Sequence, residues 1–237
     1  MLSLDRQNAL REQYRARHPG WQPATEVFAA EVRARLSPRT RLLDLGCGRG
    51  GLIEQLDHPL SRAAGVDPDY ASVREHRLAR LPRAVAASDD LPFAAGAFDL
   101  IYAAWLLEHL TQPAATLAEV SRLLRPDGAF VFITPNARHP LAWANRLAGR
   151  LGTLQGRLVS RLYGRAADDT FATRYEANHR ETIDALAASP GLRLTSLRII
   201  ADPTYLALAP GLMALSEALE RRLSAERAVH LVGVLTK

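Results

Sequence analysis

A glycine-rich stretch that follows an apolar run is the first place in this sequence where chemistry is expected. The residues Leu-Leu-Asp-Leu at 42–45 lead directly into Gly46-Cys-Gly-Arg-Gly-Gly51. Glycine lets the backbone turn tightly and approach a ligand without an intervening side chain. A strand, a turn and a helix in this order would bring backbone N–H groups and a helix N-terminus against a ligand. Alone, the pattern is weak, because incidental tight turns share it.

Two carboxylates accompany this loop. Asp44 lies inside the apolar run, two residues before the first glycine, where a nicotinamide-binding fingerprint usually has an apolar residue. Asp67 ends the next apolar run, in Gly-Val-Asp-Pro, where a carboxylate can accept both hydroxyl groups of a ribose. Alternatively, Asp67 only caps the helix that follows, since Asp before Pro commonly starts a helix.

Further motifs follow in order along the chain. They are Leu91-Pro-Phe93, Phe98-Asp-Leu-Ile101, Tyr102-Ala-Ala-Trp-Leu-Leu-Glu-His-Leu110 and Leu124-Arg-Pro-Asp-Gly-Ala-Phe130. From about 42 to 136, the set resembles class I S-adenosylmethionine-dependent methyltransferases, in particular the small-molecule group (methyltransferase type 11 domain) that includes ubiquinone and menaquinone biosynthesis enzymes. The resemblance implies S-adenosylmethionine as cofactor and a seven-stranded, mostly parallel sheet whose last strand is antiparallel. It does not specify the acceptor.

The resemblance also assigns cofactor-binding roles by position. The residues concerned are Asp44, Gly46, Cys47, Gly48, Asp67 and Ala104. The three loop residues would border the methionine part through their backbone, with Asp44 beneath them fixing the turn or the amino group. Asp67 would accept the ribose hydroxyls. Cys47 is expected to be a small packing residue and not a nucleophile.

One step departs from the family's pattern. The family usually has an acid four residues before the Leu of Leu-Pro-Phe, where it holds the adenine amino group, but that position here is Ala87. Asp89 follows two residues later and could serve only with a different loop spacing. Ser88 and Asp89 are therefore the candidate adenine contacts, and backbone groups are the alternative.

Methyl transfer from a sulfonium is an in-line displacement that mainly requires alignment of the acceptor; for an oxygen acceptor, a proton must also be removed. His109 follows the fourth predicted strand, so its imidazole is expected at the carboxyl edge of the sheet, near the methyl group. We predict His109 as a general base. Alternatively, Glu108 and His109 only cap or pack a short helix.

The acceptor pocket is expected to be lined by Trp105, Asn136, His139 and Tyr175. Asn136 follows the fifth predicted strand, and His139 and Tyr175 belong to the segment after it. Other residues that could reach the acceptor or close over the cofactor are Tyr14, Trp21, Tyr163, Arg174 and His179. For each of them, plain packing or surface exposure is the alternative. No histidine pair has the spacing of a metal site, and no metal is expected.

The elements that would position these residues alternate along the chain. Strands are predicted at 41–45, 64–67, 84–87, 98–103, 129–134, 192–200 and 230–236. Helices are predicted within the first 40 residues and at 50–56, 70–80, 113–124 and 212–223. Strands that alternate with crossover helices favour a doubly wound α/β fold, with a Rossmann-like sheet covered on both faces.

We predict one methyltransferase domain over 1–237: an N-terminal helical segment at 1–40, a cofactor-binding half at 41–135, an insertion at 136–189 and C-terminal strands and a helix at 190–237. The insertion follows the fifth strand, where α/β proteins bind ligands, and is a candidate helical lid. It also holds the charge excess of the chain. Of 30 basic and 25 acidic residues, eight arginines and three acids lie between 136 and 180, so the remainder is neutral.

An apolar stripe runs through this insertion. Its leucines are Leu147, Leu151, Leu154, Leu158 and Leu162, and the arginines that flank them are Arg146, Arg150, Arg157 and Arg161. One interpretation is a lid helix that buries its leucines over the pocket. The other is a peripheral membrane contact through 141–165, in which the leucines enter the interface and the arginines meet anionic headgroups. Nucleic-acid binding is disfavoured, because interleaved aromatic residues are lacking.

Composition narrows the class of protein. With 48% hydrophobic and 23% charged residues, the chain is expected to bury a sizeable core. Its one cysteine excludes an internal disulfide, and neither a spanning helix nor a signal peptide is expected, so a cytoplasmic enzyme is predicted.

The favoured function is methyl transfer to a small, apolar or lipid-linked acceptor, with oxygen favoured over carbon or nitrogen as the methylated atom. The alternatives are a methyltransferase of a protein or RNA target, a non-catalytic cofactor-binding protein and, more weakly, a nucleotide-dependent oxidoreductase. The oligomeric state is open.

Overall fold

The computed structural model describes residues 4–143, 173–206 and 212–237. These residues form a seven-stranded sheet with the order β3-β2-β1-β4-β5-β7-β6, in which only β7 runs antiparallel to its neighbours. The strands are β1 (Leu42–Leu45), β2 (Ala63–Asp67), β3 (Arg83–Val85), β4 (Phe98–Ala104), β5 (Leu124–Pro135), β6 (Arg193–Ile200) and β7 (His230–Thr236). The predicted doubly wound, mostly parallel sheet is thereby confirmed.

Helices precede the sheet and connect its strands. They are α1 (Leu4–Arg17), α2 (Ala24–Arg33), α3 (Tyr70–Arg74), α4 (Pro113–Leu123), α5 (Arg180–Ala188) and α6 (Leu212–Arg222). Two predicted helices are shorter than expected. The helix predicted at 50–56 is a single 3₁₀ turn at Leu52–Gln55, and the helix predicted at 70–80 ends at Arg74. In the second case the His76 Nδ1 atom accepts the N–H of Leu78, so this N–H does not extend the helix.

The core lies on both faces of the central strands, which are buried along nearly their whole length. One layer contains α4 and α5, and the other contains α2. The continuous apolar runs of β1 and β5 are typical of strands that are covered on both sides. The central strands are therefore a rigid base for the loops that follow them.

The antiparallel course of β7 brings a C-terminal residue to the carboxyl edge of the sheet. His230 begins β7 and pairs with Pro135 at the end of β5 and with Ile200 at the end of β6. The ends of β2 and β4 lie at the same edge, because these strands run parallel to β5. Residues from distant parts of the chain thus meet where parallel sheets bind ligands.

The predicted lid falls largely on residues 144–172, which lie outside the described residues. Of its remainder, α5 packs on the sheet layer and is not part of a lid: Ile183 and Ala187 are buried in the core, and the hydroxyl of Ser121 in α4 donates to the carbonyl of Pro190 just after α5. This helix is the crossover between β5 and β6. Among the described helices, none combines the length and the apolar character that crossing a membrane requires.

Candidate active site

The glycine loop after β1 is bound to the neighbouring strand through its backbone. The N–H groups of Gly46 and Cys47 both donate to the carbonyl of Val66, at 2.8 and 3.0 Å. The backbone φ angles of Gly46 and Gly48 are positive, 81° and 50°, which glycine adopts without strain. A Cβ atom on Gly46 would lie 3.3 Å from the Leu106 Cδ1 atom. The loop therefore packs between β2 and the residues that follow β4.

Asp67 supports this loop from the end of β2. Its Oδ2 atom accepts the N–H of Gly48 at 2.9 Å, and its Oδ1 atom accepts the N–H of Asp69 at 2.9 Å. The cap of α3 is Asp69, whose side chain accepts the N–H groups of Ala71 and Ser72. The alternative that Asp67 is the helix cap is therefore wrong. Each carboxylate oxygen of Asp67 keeps capacity for a further hydrogen bond from a ligand.

Asp44 lies beneath the loop and is almost fully buried. Its Oδ2 atom accepts the hydroxyl hydrogen of Tyr102 at 2.6 Å. Burial raises the pKa of Asp44 to about 7; the Tyr102 hydrogen bond opposes the rise and the negative charge of Asp67 adds to it. Burial likewise raises the pKa of Tyr102 well above its ordinary value, so that this hydroxyl remains the donor.

Cys47 is a packing residue in this structure. It is buried, and its Sγ atom would lie only 2.9 Å from a Cβ atom on Gly65. Burial, with the nearby charges of Asp44 and Asp67, raises the pKa of the thiol to about 12. A thiol that stays protonated is not a nucleophile.

The candidate adenine contacts lie beside the end of β2. The Ser88 hydroxyl is 3.0 Å from the Thr116 hydroxyl, and an oxygen of Asp89 accepts the amide N–H of Gln112 at 3.1 Å. Both bonds attach the 88–89 loop to the start of α4. Ala104 is the last residue of β4 and is half-buried.

Glu108 and His109 lie in a 3₁₀ turn, Leu107–His109, that follows β4. Glu108 is buried, and its Oε2 atom accepts the Thr134 hydroxyl at 2.9 Å. Its backbone carbonyl accepts the N–H of Arg174 at 2.7 Å. Glu108 therefore joins this turn to β5 and to Arg174, within the predicted insertion. The His109 Nε2 atom is 4.0 Å from the Glu108 Oε1 atom, and the side chain is about one quarter exposed, at 24%.

Two of the predicted pocket residues are bound into the fold. The Asn136 amide nitrogen donates to the carbonyls of Glu226 and Ala228, and its oxygen accepts the N–H of Arg138. This amide links the end of β5 to the segment before β7. Tyr175 is buried at a φ of 58°, and its N–H donates to the carbonyl of Glu108.

The other two predicted pocket residues, Trp105 and His139, lie around a cluster that sequence reasoning missed. Trp105 stands at a φ of 58° directly after β4, and its ring meets the His230 ring edge-on at 5.2 Å between centroids. His139 is fully buried, and its Nε2 atom is 3.2 Å from the Glu220 Oε1 atom.

A small cavity lies beside this cluster and encloses about 40 Å³. Its lining residues are Arg11, Pro23, Ala24, Thr25, Trp105, Asp202 and His230. Burial lowers the pKa of His230 to about 4. No local motif marks these residues as a group, because they come from α1, the start of α2, the turn after β4, the loop after β6 and the start of β7. The available signal was the first residue of an antiparallel last strand, which must lie at the carboxyl edge.

Two aromatic residues of the N-terminal segment, Tyr14 and Trp21, lie near this cavity. The Trp21 indole N–H donates to the carbonyl of Ala201 at 2.7 Å. Burial raises the pKa of Tyr14, and the charges of Glu217, Glu220 and Asp202 contribute. The segment thus covers the end of β6. Within the described ranges, no three His, Cys, Asp or Glu side chains converge in a way that could hold a metal ion.

A known protein family matches part of this chain. Residues 43–132 match a family model described as a methyltransferase domain. This stretch runs from β1 through most of β5 and includes the glycine loop, Asp44, Asp67 and His109. Residues 43–132 are therefore similar to the methyltransferase domain that the motifs of the sequence resemble.

Curated relatives resemble this region. The chain is 30% identical over 117 residues to a malonyl-[acyl-carrier protein] O-methyltransferase of Legionella pneumophila, covering 46% of this chain and 41% of that protein. It is 33% identical over 116 residues to a ubiquinone biosynthesis O-methyltransferase of Nitrosococcus oceani, covering 46% of this chain and 49% of that protein. The chain spans about half the length of the curated relatives it matches.

Solved structures resemble the chain over most of its length. A geranyl diphosphate C-methyltransferase from Streptomyces coelicolor superposes with a TM-score of 0.60 at 18% identity, covering 90% of this chain and 78% of that one. The [4+2]-cyclase SpnF superposes with a TM-score of 0.59 at 17% identity, covering 93% and 84%. At these identities the likeness concerns the fold alone, and the named reactions differ.

Proposed function

We propose that this protein transfers a methyl group from S-adenosylmethionine to a hydroxyl oxygen of a small, apolar or lipid-linked acceptor. The observation that carries the proposal is the chemistry of the loop after β1. Its first N–H groups are consumed by Val66 and by the Asp67 carboxylate, and two carboxylates, Asp44 and Asp67, lie next to it. A ligand at this loop therefore meets carbonyl oxygens and negative charge.

This arrangement fits a cationic ligand better than a dinucleotide. A pyrophosphate is held by free N–H groups at the start of a helix. Here the N–H groups of residues 46–48 donate within the protein, and only a four-residue 3₁₀ turn follows. The ammonium and sulfonium groups of S-adenosylmethionine are cations, which carbonyl dipoles and nearby carboxylates favour. Asp67, at the end of β2, is placed to accept the ribose hydroxyls.

S-adenosylmethionine supplies an activated methyl group when it is bound. What remains for the protein is to hold the acceptor in line and to remove its proton. Residues 105 and 106 after β4 border the place where this alignment would occur, since Leu106 lies close to Gly46 and the Trp105 ring contacts the His230 ring. His109, in the turn that follows, is a candidate base for the proton.

The names of the curated relatives support oxygen as the methylated atom, since both describe O-methyltransferases. The matched region covers only half of those proteins, so the acceptor is part of the proposal. We further infer that the segment 141–165 contacts an apolar acceptor as a lid or contacts a membrane surface peripherally, because its leucine stripe is flanked by arginines. No nucleic-acid partner is proposed.

Calorimetric titration tests the cofactor. We expect S-adenosylhomocysteine to bind, NAD to bind much more weakly, and Asp67→Ala to weaken binding of S-adenosylhomocysteine at least about tenfold, because two ribose hydrogen bonds are lost. Asp184→Ala is the matched control, since Asp184 is an exposed carboxylate on α5. Tighter binding of NAD would overturn the proposal, and an unchanged affinity of Asp67→Ala would remove the ribose role.

Transfer of a tritiated methyl group tests the acceptor. The protein is incubated with labelled S-adenosylmethionine and separate lipid, small-molecule, protein and RNA fractions of a bacterial extract. We expect label in the lipid or small-molecule fraction. Label only in protein or RNA would support the macromolecular alternative. Binding of the cofactor with no transfer to any fraction would support a non-catalytic protein.

A further inference from the structure

The cavity that encloses about 40 Å³ beside Trp105, here called the His230 cavity, is an unusual place for charged groups. Asp202 and His230 are each only 3% exposed and line it together with Arg11. Burying ionisable groups costs free energy unless partners compensate, so purely apolar residues would serve packing better. A cluster of this kind at the carboxyl edge of a parallel sheet points to a functional role.

The His230 cavity adjoins the proposed cofactor loop through two consecutive residues. Trp105 has a φ of 58°, which turns the chain sharply after β4. In consequence its ring faces His230, whereas Leu106 contacts the position of Gly46. Residues 105 and 106 therefore border both the cavity and the loop that is proposed to hold the methionine part of the cofactor.

His230 stays uncharged in this setting. Burial lowers the pKa of its imidazole to about 4; Arg11 and His139 lower it further, and Asp202 opposes them. The other ionisable groups at the cluster are Tyr14 of α1 and Glu217 and Glu220 of α6. A neutral imidazole has one nitrogen that can accept a proton.

The neighbouring groups have defined hydrogen-bonding roles. The His139 Nδ1 atom accepts the N–H of Leu141, and its Nε2 atom lies 3.2 Å from the Glu220 Oε1 atom. The Asp202 Oδ1 atom accepts the N–H and the hydroxyl of Thr204. His139 is thus engaged with α6, and Asp202 is held at the cavity wall.

We propose that the His230 cavity receives the hydroxyl group of the methyl acceptor and that His230 accepts its proton, with Asp202 as a positioning residue that stabilises the imidazolium. This inference rests on the proposed methyl transfer. The acceptor oxygen forms a bond to the methyl carbon as the sulfur–methyl bond breaks and the sulfonium becomes a thioether. The hydroxyl proton passes to the imidazole and then to solvent.

The size of the cavity limits what enters it. A volume of about 40 Å³ holds a water or a hydroxyl group but not a whole acceptor. Only the reacting end of a phenol or enol would enter, between α1 and the end of β6. The body of the acceptor would lie outside this cavity.

The first test measures methylation of a catechol probe, 3,4-dihydroxybenzoate, and of an alkylated catechol. At saturating cofactor and probe we expect His230→Gln to lower kcat at least about 100-fold, the size of a general-base contribution, while binding of S-adenosylhomocysteine stays within about twofold of wild type. Asp202→Asn should lower kcat less. The control is His58→Gln, since the His58 ring is bonded to the Thr40 carbonyl before β1, at the opposite edge of the sheet.

The pH profile separates His230 from His109. With its pKa of about 4, His230 would keep kcat nearly constant down to about pH 5. A kcat that falls below pH 6.5 and is lost in His109→Gln but kept in His230→Gln would overturn the inference. Wild-type protein that fails to bind S-adenosylhomocysteine would instead refute the proposed function.

A second measurement does not depend on turnover or on the folding of a variant. In wild-type protein, the imidazole NMR signals of His230 are recorded with S-adenosylhomocysteine, before and after addition of the catechol. We expect the His230 signals to shift with the catechol and to show no titration between pH 5 and 8. Unchanged His230 signals, or methylation of amine or carbon acceptors but of no hydroxyl compound, would overturn the inference.

Discussion

Asp44 links the stability of the fold to the charge of the proposed cofactor. Its pKa rises to about 7 because the carboxyl is buried, and an unfolded chain would restore the ordinary value of 3.8. A group whose pKa is higher in the folded state stabilises the fold below the unfolded pKa and loses that contribution as the pH rises through the folded pKa. As the pH rises from about 4 to about 7, ionisation of Asp44 therefore lowers the free energy of unfolding of the wild-type protein.

We expect Asp44→Asn to raise the free energy of unfolding relative to wild type at both pH 5 and pH 8, and by roughly 3 kcal/mol more at pH 8 than at pH 5. The amide cannot ionise, and its oxygen can still accept the Tyr102 hydroxyl. The same variant should bind S-adenosylmethionine more weakly, because it lacks the negative charge beneath the loop. Urea unfolding at both pH values and calorimetry measure the two effects. Equal stability differences at pH 5 and 8 would contradict the assigned pKa.

At the residue scale, the sequence indicated which side chains lie at the site better than it indicated which atoms they contact. Asp67 was predicted at the ribose of the cofactor, which stays a prediction, and the structure shows that its carboxylate also accepts an N–H of the glycine loop. The expected use of the loop N–H groups was wrong, because Val66 and Asp67 take them. The acceptor to which a loop N–H donates depends on the neighbouring strand, and the sequence does not show which strand that is.

A close contact between β5 and β7 depends on a single glycine. Gly233 pairs with Phe132, and a Cβ atom at Gly233 would lie 2.2 Å from the Phe132 Cζ atom. The aromatic ring therefore covers the glycine across the strands, a contact that adds stability to a sheet pair.

We expect Gly233→Ala to lower the free energy of unfolding by roughly 3 kcal/mol, because a fully buried ring must move in a densely packed core. The control is Gly51→Ala, where a Cβ atom would meet nothing within 4 Å. Urea unfolding of both variants measures the difference. If the two variants were equally stable, the cross-strand contact would be unimportant.

Elements with a strong periodic pattern were predicted best. Strands β1, β4 and β7 have continuous apolar runs, and their bounds were predicted to within one residue. The helix after Asp67 was overpredicted, because the His76 side chain competes for the backbone N–H of Leu78. Of the His230 cavity, only Trp105 was predicted, and Arg11, Asp202 and His230 were missed, since they come from α1, the loop after β6 and the start of β7. Only the antiparallel pairing of β7 assembles them.

At the scale of the whole molecule, charge is distributed unevenly. The chain carries a formal excess of five positive charges, and all of it lies between residues 136 and 180. The sheet and its covering helices are neutral by count. Any attraction to an anionic surface should therefore come from this one segment, which includes the leucines and arginines of 141–165.

Vesicle co-sedimentation tests this distribution. We expect wild-type protein to sediment with vesicles of phosphatidylglycerol and phosphatidylcholine at low ionic strength and to be released by about 0.5 M salt, since screening shortens the range of the attraction. A variant with glutamine at Arg146, Arg150, Arg157 and Arg161 should remain in the supernatant, because four headgroup contacts are lost.

The control for net charge is a variant with glutamine at four arginines outside the segment, Arg33, Arg62, Arg193 and Arg198. If both variants lost binding equally, total charge and not the segment would be responsible. If wild-type protein never sedimented, the leucine stripe would be assigned to a lid that packs over the acceptor.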